Sequence, residues 1–586
     1  MLNLGIWVFE TLLRIWGPIL GYTIAIYAVL RSLAVANRWR TRRKLGVALN
    51  ATVVGFFHPF CNAGGGGERV LWRAMHAISN LSKDQGNTLH VIIYSGDVGI
   101  PPEDIISNAL RQFQIPLDVG ALPVSFVFVK GREVLNPNRY PVLTMLGQSL
   151  GSFVLAVEAL VRATPDVFVD TTGFAFSFPA AWAMGCRVGA YVHYPTISTD
   201  MLCQVHERRP AYNNRDWISS RRVVSRAKII YYHAFALLYG LAGTFASVVM
   251  VNSNWTRRHI ETMWWFSSPV VVFPPCDTSE LENIPINDKG RQRCILSVGQ
   301  FRPEKDHALQ VRALAALLSR PIVREHEGVG GEAGGKGGVA RSSGLDVGVS
   351  KYKDGPFRDV RLVLLGSCRG EDDRQVLARA LALAEELGVS DSVETVVNCS
   401  FAELKWWLGR ASVGIHTMWN EHFGIGVVEM MAAGMVTIAH RSGGPEADIV
   451  VPLPNGKSTG FLAATPEEYA CILEGVFSRS TKVGSGNVTV DSNVSRDCIG
   501  GSIDANTNVK NVWSTDAMQG DAGEIDTLAL REAGRKAAQR FSNDVFDLGF
   551  YCCFSKLLPS PRIETTDKGC GDWGLGLMRH QKKKIK

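Results

Sequence analysis

The stretch Ser412-Val413-Gly414-Ile415-His416-Thr417-Met418-Trp419-Asn420-Glu421-His422-Phe423-Gly424-Ile425-Gly426-Val427-Val428-Glu429 carries more structural information than any other in this chain. Its first five residues are short, apolar and β-branched, which predicts a strand. The apolar run after Gly424 predicts a helix, and the polar residues between them a loop. Two carboxylates thus stand eight residues apart, Glu421 in the loop and Glu429 about one turn inside the helix. The amides of Phe423, Gly424 and Ile425 lie between them at a helix N-terminus, where unpaired N–H groups and positive potential suit a phosphate. One carboxylate could hold sugar hydroxyls and the other a ribose, although Glu429 alone would read as an ordinary exposed helix carboxylate.

The alternation extends in both directions. Between Thr52 and Phe273 the runs TVVGFF, LHVIIYS, VSFVFV, DVFVD, RVGAYVH, SVVMVNS and VVVF are separated by longer helical patterns. After a polar linker at 277–293 the series restarts with CILSVG, VRLVLLG, SVETVV, SVGIH and MVTIAH. Such alternation predicts parallel sheets covered by helices. The expected fold class is therefore α/β, with two doubly wound Rossmann-like domains at 51–276 and 294–541. Ligands gather at the carboxyl ends of the strands in such sheets, and a facing pair leaves a cleft suited to two substrates. Residues 325–356 and 478–524, rich in Gly, Ser, Asn and Asp, read as flexible surface insertions. Residues 542–586 are expected to form a last helix and a basic tail.

Length and composition agree with this division. A chain of 586 residues should hold two substantial domains, and 46% hydrophobic with 20% charged residues suits a packed core. Lys plus Arg number 62 against 55 Asp plus Glu, a net +7 that is too small to mark a nucleic-acid binder. Twelve cysteines with no C-x-x-C pair and no zinc spacing predict buried free thiols in a reducing compartment and no structural metal.

No residue from Ile15 to Leu30 is charged, and apolar character runs from Leu2 to Val35 with breaks at Glu10, Arg14 and Arg31. One membrane-spanning helix is expected within 1–36. The competing reading is an amphipathic helix in the interface, because Gly17-Pro18 weakens a continuous span. Arg38, Arg40, Arg42, Arg43 and Lys44 fall in a basic juxtamembrane segment at 37–50, which places that side in the cytosol. Lys583 and Lys584, fourth and third from the end, match either a dilysine retrieval address for the endoplasmic reticulum or a solvated basic tail.

Four consecutive glycines, Gly64 to Gly67, lie between the first strand and a helix, followed by Glu68 and Arg69. They predict close approach of backbone to a ligand and free N–H groups for a phosphate; a mobile linker is the alternative. The dinucleotide spacing G-x-G-x-x-G is absent. His193 ends a strand and points toward the cleft. Glu371-Asp372-Asp373 reads as first-turn complementation of a helix dipole rather than as a metal motif. Arg221, Arg222, Arg226 and Lys228 precede the apolar run IIYYHAFALLYGLAG, which suits either a surface docked on anionic lipid or a buried helix with a solvated basic edge.

Taken with Ala432-Ala433-Gly434 and Ser442-Gly443-Gly444-Pro445, the E-x7-E pattern resembles the retaining glycosyltransferases of family 4, whose fold is the two-domain GT-B arrangement. The blocks GFFHPFCNAGGGGERVLW, Tyr191 to Met201 and Gly299 to His307 closely resemble the α-1,2-mannosyltransferases of asparagine-linked glycosylation. This likeness covers about Thr52 to Val451 apart from the first insertion. It implies GDP-mannose as donor and a dolichol-pyrophosphate-linked trimannosyl-chitobiose core as acceptor. The fourth and fifth mannoses would be added at the cytosolic face of the endoplasmic reticulum, with membrane lipids and other mannosyltransferases of the same pathway as partners. No D-x-D metal motif stands in a fitting context, so metal independence and no cofactor are expected.

By carry-over, Glu421 would hold hydroxyls of the transferred mannose and Glu429 the ribose, with Phe423, Gly424, Ile425 and Gly299 bordering the donor. Arg302 and Lys305 would neutralise the leaving diphosphate. His193 matches a histidine near the donor sugar, expected as a hydrogen-bond donor to sugar or phosphate. Many relatives carry the arginine directly after the strand glycine, where this chain has Gln300, so a surface ion-pair role stays open for Arg302. The rival readings are a lipid-linked sugar transferase using a UDP-sugar and a non-catalytic sugar-nucleotide-binding scaffold.

Overall fold

The computed structural model describes residues 2–85, 88–117, 120, 122–198, 201, 222–287, 289–320, 355–478 and 525–559. Arg221, the lysine-rich tail, and nearly all of the insertions expected at 325–356 and 478–524 lie outside the described residues.

Two wholly parallel sheets form the molecule. The first holds β1 (Thr52–Phe57), β2 (Leu89–Ser95), β3 (Val124–Phe128), β4 (Val167–Asp170), β5 (Arg187–Val192), β6 (Val248–Val251) and β7 (Val270–Val271) in the order β3-β2-β1-β4-β5-β6-β7. The second holds β8 (Gln292–Val298), β9 (Arg361–Gly366), β10 (Val393–Val397), β11 (Ala411–Ile415), β12 (Val436–His440) and β13 (Phe461–Ala463) in the order β10-β9-β8-β11-β12-β13. Every strand expected from the sequence is present. β13 was not expected, because three residues are too few to show a period.

Val54, Phe56, Phe57, Val91 and Ile93 are fully buried, as are Leu362 and Val363. Helices cover both faces of each sheet, so the strands read as continuous apolar runs rather than alternating ones. Strand order reverses between β1 and β4 and again between β8 and β11. The loops leaving those neighbours diverge and open a crevice at the carboxyl ends of the strands.

Three segments differ from expectation. The N-terminal helix runs unbroken from Leu2 to Leu45 with Pro18 inside it, so the basic stretch at 37–50 is not a separate juxtamembrane segment. It docks on the first domain: Asn37 Nδ2 donates to the Leu160 and Val161 carbonyls and to Thr164 Oγ1, and Arg38 donates to the Pro165 and Met184 carbonyls. Arg42 donates to the Ala51 carbonyl at 2.7 Å and pairs with Asp166 at 2.6 Å. Two of the five cations are thus consumed in holding the helix, while Arg40, Arg43 and Lys44 remain exposed.

The expected linker at 277–293 is folded, with a helix at Thr278–Leu281, a buried Leu281 and β8 starting at Gln292. Last, the helix Asn543–Phe554 returns to the first domain. Phe546, Phe550 and Phe554 join the cluster of Val54, Phe56 and Trp72, and Arg73 grips Asp547 with two hydrogen bonds of 2.7 and 2.6 Å. This crossing ties the helix after the second domain back to the first.

Among the described residues, Thr144–Arg162 is long and apolar enough to cross a membrane by length and composition. It packs Leu155, Ala156, Ala159 and Leu160 into the first domain's core, which marks it as a core helix. Its other face leaves Leu150, Phe153, Val154, Val157 and Val161 exposed.

Candidate active site

On the second domain, Gly299 is the first residue beyond β8 and leads to a 3-10 turn, Pro303–Lys305. His416 is the first beyond β11, and Glu421 follows in the loop before the helix Ile425–Ala432. Lys305 Nζ lies 2.5 Å from Glu421 Oε2, and His416 Nε2 lies 3.2 Å from the same oxygen. Burial works against the Glu421 charge, but Lys305 and His416 outweigh it and hold its carboxyl well below the usual range. The site therefore carries a formed anion beside a cation.

The two loops are fixed to each other and from behind. Thr417 Oγ1 donates to the carbonyls of Lys305 and Asp306, at 2.8 and 3.0 Å, and accepts from Gln310 Nε2 at 2.9 Å. Ser442 Oγ accepts from the Asn420 amide, and the Gly444 amide donates 2.7 Å to the Glu421 carbonyl. At Gly443, φ is +62° and a Cβ would meet the Glu421 carbonyl oxygen at 2.3 Å. A side chain there would push Glu421 forward, which explains the glycines of Ser442-Gly443-Gly444-Pro445. Gly424, at φ +107°, turns the chain into the following helix.

On the first domain the chain past β1 begins with His58, past β4 with Thr171 and past β5 with His193. Thr171 Oγ1 lies 2.8 Å from His58 Nδ1, and His58 Nε2 lies 3.3 Å from Glu68 Oε1. His193 Nε2 lies 3.0 Å from the Thr171 carbonyl. Burial disfavours the Glu68 charge, yet the bonds from His58 and from the Gly65 amide prevail and lower its pKa. Burial, reinforced by His58, depresses His193 to about 4 against the Thr171 bond.

These contacts correct two expectations. Only Gly64 and Gly65 form the glycine loop, since Gly66 and Gly67 already belong to the helix Gly66–Gln85, and the Gly65 amide donates to Glu68 Oε2 instead of standing free for a phosphate. A carboxylate three residues on closes the turn from within. His193 was expected to donate to the ligand, but its Nε2 proton is committed to a carbonyl. In the neutral ring Nδ1 is left with a lone pair, so the cleft meets an acceptor.

The halves touch across the cleft. Arg69 lies 3.8 Å from Glu429, whose pKa burial raises against the pull of Arg69. Arg369 reaches the Gly64 carbonyl at 3.5 Å, and Asn254 donates from its amide and side chain to Asp448. Lys305, Glu421, His193 and Glu429 are thus brought to one crevice, with Phe423 buried behind them. Arg302 is not held against Glu421: 45% exposed, it faces Glu304 at 3.9 Å. Lys228 lies partly buried, 5.6 Å over the Tyr232 ring. The side chains of Arg222 and Arg226 are outside what is described. Residue reasoning missed His58, Thr171 and His416 as parts of the site; their place directly after a strand was the available signal.

Two facing Rossmann-like domains, with a lysine–carboxylate pair at one switch point and a histidine-rich crevice at the other, define a glycosyltransferase of the GT-B class. The same architecture relates the chain to sucrose-phosphate synthase from Thermosynechococcus elongatus, at TM-score 0.51 and 13% identity over 86% of this chain and 99% of that one. The family model described as ALG11 mannosyltransferase N-terminus matches residues 51–264, and that for glycosyl transferases group 1 matches 344–475. The GDP-Man:Man(3)GlcNAc(2)-PP-Dol alpha-1,2-mannosyltransferase of Mus musculus is 39% identical over 568 residues, covering 94% of this chain and 99% of its own. That of Homo sapiens is 44% identical over 437 residues, covering 74% and 81%. The chain belongs to this family of α-1,2-mannosyltransferases.

Proposed function

We propose that this chain transfers mannose from GDP-mannose, in α-1,2 linkage, to the trimannosyl-chitobiose core on dolichol pyrophosphate, adding the fourth and fifth mannoses. The observation that carries the reading is the half-buried Lys305–Glu421–His416 group at the carboxyl ends of β8 and β11. Lys305 and Glu421 neutralise one another across 2.5 Å. With donor bound, Lys305 turns to the diphosphate, whose charge grows as the glycosidic bond breaks, and Glu421 accepts from hydroxyls of the mannose. A cation fixed in place before charge develops is a large catalytic contribution.

In this reading the bond from the anomeric carbon to the phosphate oxygen breaks as the bond to the acceptor oxygen forms on the same face. The acceptor's proton passes to the departing diphosphate. His193 Nδ1 accepts from a sugar hydroxyl and orients it. Lys305 supplies the positive charge, so transfer is expected to need no metal ion.

The lipid acceptor requires a bilayer close by. The N-terminal helix leaves Ile24 and Ile26 exposed, and Ile230, Leu237, Leu238 and Leu241 line the outer side of the helix Arg222–Gly243. We assign these faces to the membrane of the endoplasmic reticulum, with both domains in the cytosol. Tyr27 already meets Trp182 at 5.5 Å, so the span proper lies before it; about 25 residues at ~1.5 Å each reach roughly 37 Å, enough for a bilayer core.

The test incubates detergent-solubilised protein with GDP-mannose, the trimannosyl lipid and a chelator, then weighs the released glycans. A gain of two hexoses, removable by an α-1,2-specific mannosidase, is expected. Transfer from a UDP-sugar instead, or no transfer, would overturn the reading.

A further inference from the structure

Tyr194 follows His193 past the end of β5 and takes no part in the chemistry above. Its ring lies 5.0 Å from that of His422, the residue after Glu421, at an interplanar angle of 19°. His422 lies in turn 5.3 Å from Trp255, which is braced at 4.2 Å by His259. Tyr194 and Trp255 belong to the first domain and His422 to the second. The stack therefore spans the cleft and fixes the plane of the Tyr194 ring.

Two properties of Tyr194 together describe its setting. Burial raises its phenol's pKa, with Arg302 opposing, yet 52% of the residue is open to solvent. A side chain surrounded by protein but accessible stands in the wall of an open cleft. One ring face is occupied by His422. A large aromatic surface held rigid by stacking loses little conformational freedom when a ligand covers it.

We propose that Tyr194 forms the floor of a subsite for a hexopyranose ring of the acceptor glycan. A pyranose presents a face of polarised C–H groups, which suits the negative face of an aromatic ring. The position selects the acceptor over the donor nucleotide. Tyr194 is joined to the Glu421 end of the motif, where the transferred sugar sits, while the ribose-holding Glu429 lies a helical turn further on. The inference rests on the function proposed above.

The test is steady-state kinetics of the full chain in detergent with GDP-mannose and the trimannosyl lipid, varying each substrate in turn. Tyr194→Ala should raise the acceptor KM about tenfold and leave the donor KM within about twofold, while Tyr194→Phe and Tyr194→Trp stay near wild type. Tyr194→Leu keeps bulk without an aromatic face and should behave as Tyr194→Ala, which covers the case where the alanine variant folds poorly. An unchanged acceptor KM in Tyr194→Ala and Tyr194→Leu overturns the platform while the enzyme's function stands. A parallel rise in donor KM also overturns it, because the ring would then act only by holding His422 and Glu421. A wild-type chain that transfers no mannose removes both this inference and the function beneath it.

Discussion

The two halves of the crevice use the same topological position in different ways. On the second domain, the loops after β8 and β11 bring a full cation against a full anion, Lys305 on Glu421. On the first, the loops after β1, β4 and β5 build a hydrogen-bonded chain, from Glu68 through His58 and Thr171 to His193. Under the proposed function the difference follows what each side would hold. A departing diphosphate gains charge and needs an opposing charge in place. An acceptor hydroxyl stays neutral until the bond forms and needs direction instead. Charge on one side and orientation on the other predict unequal costs when each is broken.

The largest loss is expected from Glu421→Gln. The substitution keeps shape, removes the anion that Lys305 and His416 share, and turns one of the two oxygens that could accept from sugar hydroxyls into a donor. Turnover should fall by about 10²–10³-fold, read as hexose gain per unit time on the lipid acceptor, with the helical signal and membrane association of the wild type. A fall no larger than that produced on the first domain would break the comparison.

Next comes His58→Phe, which fills the space and leaves Thr171 Oγ1 and Glu68 Oε1 without their ring partner. Losing such buried bonds costs about 1–3 kcal/mol, so the unfolding midpoint in denaturant should drop. Turnover should fall by roughly tenfold through the loosened glycine turn and His193, while GDP binding, measured by titration, holds. Weakened GDP binding would show that the chain of hydrogen bonds serves both halves.

His58 also shows where sequence reasoning stopped. Glu421, Glu429 and Lys305 were legible because their chemistry lies within short segments: two carboxylates at a fixed spacing around a glycine, and a lysine just beyond a strand. The strands were legible for a related reason, since parallel strands buried on both faces are uniformly apolar. His58 and Thr171 come together from loops 113 residues apart in the first domain, and His416 shares Glu421 with a lysine from a different loop of the second; no local pattern reports such meetings. What could have been read is their shared address. His58, Thr171, His193, Gly299 and His416 are each the first residue past a strand, where side chains leave the sheet at its ligand-binding end. The return of Asn543–Phe554 to the first domain was illegible for the opposite reason, because an apolar helix face does not name its partner.

A smaller effect is expected at the bridge between the halves. Arg69→Met leaves Glu429 without the guanidinium that opposes its burial, so a carboxyl pKa already raised should rise further. As the solution is acidified the carboxylate takes up a proton sooner than an ordinary glutamate and accepts from a ribose more weakly. Donor KM should therefore increase more at about pH 6 than at about pH 8, with acceptor KM steady at both. An equal increase at both would assign Arg69 a direct contact with the diphosphate, and an unmoved donor KM would separate Glu429 from the ribose.

The smallest effect isolates orientation from charge at His193. Its folded pKa, near 4, lies below the ordinary 6.5, so between those values the unfolded chain binds the proton and the folded one refuses it. Stability then rises with pH across that window and falls as the solution is acidified. Burial lowers His307, His416, His422 and His440 in the same direction, which makes the wild-type slope alone uninformative. Replacing His193 by Gln removes one such group and keeps a side-chain amide that donates to the Thr171 carbonyl. The variant's melting temperature should therefore fall less than the wild type's between about pH 6.5 and about pH 5, a difference of slopes measured by thermal unfolding at matched ionic strength. If the two slopes coincide, His193 charges freely in the folded chain. It would then offer the cleft a cation, and the first domain would work by charge as the second does.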